Sequence, residues 1–206
     1  MQRLIRTAIS LASFLALVPL AEAQIDFTPT VTQYTSEGAQ YSSVRFKDDK
    51  RRVNIVLPRL WSCSGDAAKL QITPPNQSFA EGVIQAVPTK DFLRFDEVAL
   101  KGLEQQVLAT LPPGSQGAAL VTQRENPIIL NQNLSYEFVV SYQTLGRTFQ
   151  RNVIFVNCPG QQLIFRFSAP KEVFAPLNAA FRQSLYSWEW KEPAVSAGAG
   201  TFTASK

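Results

Sequence analysis

The chain has 206 residues, a formal net charge of +4, 45% hydrophobic residues, two cysteines and no histidine. That length suits one domain with a sizeable core. The mild positive balance does not by itself argue for nucleic acid. The missing histidine excludes Ser-His-Asp and Cys-His nucleophile systems, and His-containing zinc sites, within this chain.

The N-terminal stretch reads as a secretory signal peptide over residues 1–23. Arg3 and Arg6 form a positive start. Ala8 to Leu20 is an uncharged, largely apolar run, too short to span a bilayer comfortably. Ala21-Glu22-Ala23 then places small residues where a signal peptidase reads, with cleavage expected before Gln24. The expected location is periplasmic or secreted. In such an oxidising compartment, Cys63 and Cys158 are candidates for one disulfide, with two buried free thiols as the alternative.

Residues 24–40 are rich in Thr, Gln and Ser and read as an extended lead-in. Tyr41 to Lys47 and Arg51 to Leu57 both alternate, with Asp48-Asp49-Lys50 between them, which predicts a hairpin. Its core side is Val44, Phe46, Val53, Ile55 and Leu57. Short strands are expected at Lys69 to Thr73 and Gly82 to Val87. A helix follows, capped by Asp96, with Leu100, Leu103, Val107 and Leu111 on one face. Pro112-Pro113-Gly114 ends it.

Four strands are predicted next: Ala118 to Gln123, Leu134 to Gln143, Arg147 to Val156 and Gln162 to Ala169. Leu145-Gly146 and Cys158-Pro159-Gly160 are tight-turn chemistry, so these neighbours pair antiparallel. A last helix is expected from Lys171 to Trp188, and residues 193–206 read as a flexible tail. Residues 41–192 then form one α+β domain, an antiparallel sheet with two main helices in an α/β/α sandwich.

This order of elements resembles the PsbP-like fold, which includes PsbP and the envelope protein DcrB. The resemblance spans about Tyr41 to Trp190. It rests on Pro58-Arg59-Leu60-Trp61 after an early strand, the central helix Asp96 to Leu111, the meander Leu134 to Ala169, and Ser184-Leu185-Tyr186-Ser187-Trp188 closing the last helix. It implies a protein that binds partners or stabilises assemblies, with no one shared chemistry. It carries over no site residue, and a fold does not transmit a function.

No stretch fits a phosphate-binding glycine loop or a calcium loop. Glu81, Asp96, Glu104, Glu125 and Glu137 are the acids available for carboxylate chemistry, and they read first as surface acids and a helix cap. Arg45, Lys47, Lys50, Arg51 and Arg52 form the most distinctive charge cluster, suited to an acidic partner or an anionic envelope component. Trp61, Tyr186, Trp188 and Trp190 are candidates for an aromatic contact surface, or for core. The expectation is therefore a non-enzymatic exported protein that binds a macromolecular partner, with no cofactor and no metal. The alternative is a small-molecule carrier or carboxylate-dependent enzyme with a pocket between sheet and helix.

Overall fold

The computed structural model describes residues 25–48, 51–89 and 94–191. The expected signal peptide, its cleavage site at Gln24, Lys50 and the tail from residue 193 lie outside the described residues.

Two antiparallel sheets form. The small one runs β1 (Ile25–Ser36), β2 (Ala39–Asp48), β3 (Arg51–Val56) and β11 (Glu189–Lys191), in that spatial order. The large one is ordered β4 (Ser62–Gly65), β5 (Lys69–Thr73), β6 (Glu81–Pro88), β10 (Gln161–Pro170), β9 (Arg147–Cys158), β8 (Ser135–Thr144) and β7 (Gln116–Glu125). Helices α1 (Glu97–Ala109) and α2 (Lys171–Leu185) lie between β6 and β7 and between β10 and β11 in sequence.

The turn chemistry sets much of this. Glu37-Gly38 and Leu145-Gly146 each join two strands as two-residue turns, and all four residues have positive φ, as a primed turn requires. The Asp96 side chain accepts from Ala99 N at 2.9 Å and caps α1 as expected.

The central strands of the large sheet are buried on both sides. On one face, Leu103 and Val107 of α1 pack on Phe138, Val140, Val153, Phe155 and Ile164. On the other, Phe174, Phe181 and Leu185 of α2 share one core with Phe165, Phe167 and Ile154 and with Val44, Phe46, Val53 and Ile55 of the small sheet. The molecule is mostly β. Its second covering layer is a helix together with a sheet, which corrects the simple α/β/α sandwich. The core side of the β2–β3 hairpin is the one that alternation predicts.

Two further elements differ from expectation. The lead-in is a twelve-residue strand, and its Ile25 and Phe27 are core residues. The last helix ends at Leu185, because Ser187 turns back, donating from Oγ to Ser184 O at 2.6 Å. Its hydroxyl also accepts from Val56 N at 2.7 Å, and the chain then joins β3 as β11.

The expected disulfide is absent: Cys63 and Cys158 are free thiols. The topology forbids the bridge. Cys63 lies on β4 and Cys158 on β9, with β5, β6 and β10 between them. Four interstrand steps alone amount to roughly 19 Å, whereas a disulfide needs Cα atoms within about 7 Å. An even cysteine count carries no information about register.

Two tests follow from this packing. A Cβ on Gly82 would sit 2.7 Å from Cε2 of the buried Phe181 ring. Gly82→Ala should therefore lower stability by about 1–3 kcal/mol through overpacking, read from urea unfolding midpoints.

The second concerns the thiols. Burial pushes the Cys158 thiol up to about 12, with Asp48 adding to the rise and Arg51 opposing it. An unfolded thiol titrates at about 8.5. Between those values unfolding releases a proton, so this contribution is intact below the unfolded value and is lost as pH climbs toward the folded one. Cys158→Ala should flatten the alkaline fall in urea midpoint relative to wild type. Both thiols should also react with a maleimide in denaturant without prior reduction.

Candidate functional site

The outer face of the small sheet carries the predicted cations. Register places Asp26, Lys47, Arg52 and Lys191 in one row across β1, β2, β3 and β11. Thr30, Arg45, Asn54 and Glu189 form the next row. Arg45, Lys47, Arg52 and Lys191 are exposed. Lys191 pairs with Glu189 at 3.1 Å, an exposed contact worth little to stability. The Thr28 hydroxyl and backbone N–H hold the Asp26 carboxyl below the usual carboxylate range, so it is an anion within this face. Four cations thus share the surface with two carboxylates.

Arg51 belongs to a different structure. Its Nη2 donates to Asp48 Oδ2 at 2.6 Å, and its guanidinium lies over the Trp190 ring, 5.5 Å from the centroid. Trp190 Nε1 donates to the same Asp48 oxygen at 2.9 Å. Asp48 is 2% exposed, so Arg51 and Trp190 together neutralise and solvate a buried carboxylate. Arg51 is therefore removed from the binding surface that its position in sequence suggests.

The aromatic residues do not gather into one exposed surface. Trp61 stacks on Phe167, and Trp188 packs edge-on against Phe46 and Phe165. Both are core, Trp190 is half-buried, and Tyr186 is exposed.

The five acids are also dispersed. Asp96 is occupied as the α1 cap. Glu81 and Glu137 lie on opposite faces of the large sheet: Glu81 shares a row with Ser168 and Arg151, whereas Glu137 shares one with Ile154 and Phe165. Glu125 is exposed at the edge strand β7, and Glu104 is half-buried on α1. No cluster of metal-ligating side chains occurs among the described residues.

Glu137 is a structural anchor. It accepts from Arg182 of α2 at 3.0 Å, Arg124 of β7 at 2.8 Å and Asn152 of β9 at 2.9 Å. Asn152 donates to Asn178 of α2 as well, at 2.9 Å. Arg182 also reaches the Pro127 carbonyl at 3.2 Å. The carboxylate is filled with donors and bolts α2 to three strands. Sequence reasoning missed Asn152, Asn178 and Arg182. The available signal is Arg151-Asn152 directly before the apolar run Val153 to Val156, since polar groups buried in a sheet require partners.

No family model and no curated protein matches the chain. Among solved structures, it is similar to cyanobacterial PsbP (CyanoP) from Synechocystis sp. PCC 6803. There the identity is 11% and the TM-score 0.48, covering 78% of this chain and 92% of that one. It is also similar to a protein of unknown function from Pseudomonas aeruginosa. That match has 17% identity and a TM-score of 0.43, covering 75% of this chain and 93% of that one. The likeness to the PsbP-like fold is one of architecture, and no activity follows from it.

The Glu137 anchor separates two kinds of ion pair. Glu137→Ala strands the mostly buried Arg182 and should cost about 3–5 kcal/mol. Arg124 is half exposed, so Arg124→Ala should cost about 1 kcal/mol or less. Urea unfolding of the two variants beside wild type measures both.

Proposed function

We propose that this is an exported, non-enzymatic binding protein of the cell envelope that docks an acidic protein through the outer face of its small sheet. The single observation behind the reading is the row pattern itself. Arg45, Lys47, Arg52 and Lys191 stand out from a sheet whose opposite side is core. Most of these cations have no structural task, so their energy is available to a partner.

The chemistry of the face favours a protein over a lipid surface. Asp26 and Glu189 interrupt the cations. A uniformly anionic membrane would repel both carboxylates, whereas a protein surface can answer a mixed pattern charge by charge and so fix orientation. No helix among the described residues is long and apolar enough to cross a membrane. Export rests on the charged, apolar and small-residue sequence of residues 1–23.

The test reverses the face without touching the core. Arg45→Glu, Lys47→Glu and Arg52→Glu combined should leave the unfolding midpoint close to wild type. A photo-crosslinker at Ser43 should capture one acidic envelope protein in wild type, with yield falling as salt rises. The triple variant should lose that product at every salt concentration. An equal yield from wild type and variant would overturn the reading. So would salt-sensitive sedimentation with anionic vesicles in place of a crosslinked protein.

A further inference from the structure

A second feature lies on the other side of the large sheet. Beyond the C-terminal end of α1 there is a cleft of about 410 Å³. Its walls include Phe79, Pro112 and Leu145, and Arg151, Ser168 and Glu81 lie along it in one cross-strand row. Such a volume suits a small molecule.

Arg151 is only 4% exposed, yet it forms no ion pair among the described residues. Its Nε donates to Ser168 Oγ at 2.7 Å, and Nη1 donates to the carbonyl and hydroxyl oxygens of Thr110 at the end of α1. These are neutral acceptors. The helix C-terminus offers partial negative charge, but a buried cation is best compensated by a full anion. Desolvation pushes the Arg151 guanidinium below its usual range, with Arg166 adding to the fall and Tyr142, whose ring lies 5.5 Å from the guanidinium, and Glu81 opposing it.

Glu81 stands at the other end of the row. Gln71 Nε2 donates to its carboxylate at 3.2 Å, and no cation pairs with it among the described residues. Arg151 and Glu81 are two interstrand steps apart, roughly 10 Å between Cα atoms. They face one cleft with opposite charges, near enough for Glu81 to favour the Arg151 cation but without a direct ion pair between them.

We propose that the cleft binds a small zwitterion of the amino-acid type, its carboxylate against Arg151, its ammonium against Glu81 and its side chain between Phe79 and Pro112. A simple anion would gain Arg151 but suffer the field of Glu81 in the same confined space. A simple cation would meet the reverse. Only a ligand carrying both charges satisfies both ends, and the apolar walls take an aliphatic or aromatic side chain.

Calorimetric titration of the full chain tests this with L-leucine and L-phenylalanine as probes, against N-acetyl-L-leucine and L-leucinamide. Removing either ligand charge should weaken binding at least tenfold. Glu81→Gln keeps the shape of the cleft, and it should weaken L-leucine about tenfold while tightening N-acetyl-L-leucine, which no longer meets the Glu81 charge. Equal affinity for L-leucine and its two blocked forms would overturn the proposal, as would no binding of either free amino acid. So would a Glu81→Gln variant that binds L-leucine like wild type. The triple charge reversal on the small sheet leaves every cleft residue in place, so failure of the docking reading and failure of this one are distinguishable.

Discussion

Strands β9 and β10 set the demand that the rest of the molecule meets. Almost every side chain of both is buried, on both faces. A strand of this kind cannot sit at the surface, because each face would expose a row of Phe, Val and Ile to water. One face is met by α1. The other is longer than one helix can cover, so α2 shares it with the small sheet. The short strand β11 follows from that division: the chain leaving α2 is already beside β3 and adds to it.

The polar residues within those strands then decide how the covers are seated. Arg151 faces α1 and takes the last turn of that helix as its acceptor. Asn152, on the opposite face, reaches Glu137 and Asn178 and so fixes α2. Apolar packing is tolerant of small slides, whereas a buried guanidinium or carboxylate is satisfied in one position only. Adjacent residues of one strand thus orient the two layers independently.

Much of this was legible in the amino-acid sequence, for identifiable reasons. Period-two alternation exposed the β2–β3 hairpin and its core side, and the Asp96 cap with a stripe at helical spacing exposed α1. Strand β1 was not, because only Ile25 and Phe27 mark it as core and the rest is mostly Thr and other polar residues pairing with β2 beyond the covered face. Its register is held by Glu37-Gly38 and by the partner strand, which local composition does not reveal. At the candidate site, alternation identified Arg45, Lys47 and Arg52 as outward cations. It could not withdraw Arg51. That residue is consumed by Asp48 on the paired strand and by Trp190 from the far end of the chain. Charge clusters in sequence count cations; only the fold shows which are already spent.

The two proposed surfaces lie on opposite sides of a sheet whose central strands are packed on both. Coupling between such sites requires an element with two discrete arrangements that both sites bias. The sheet between them shows one arrangement: its central strands are paired along their length, and its polar links run separately to the end of α1 through Arg151 and to α2 through Asn152 and Glu137. A ligand in the α1-side cleft therefore has no differential contact with alternative states of the small sheet. The physical expectation is additivity, with occupancy of the cleft stabilising the fold by mass action and leaving the affinity of the basic face unchanged.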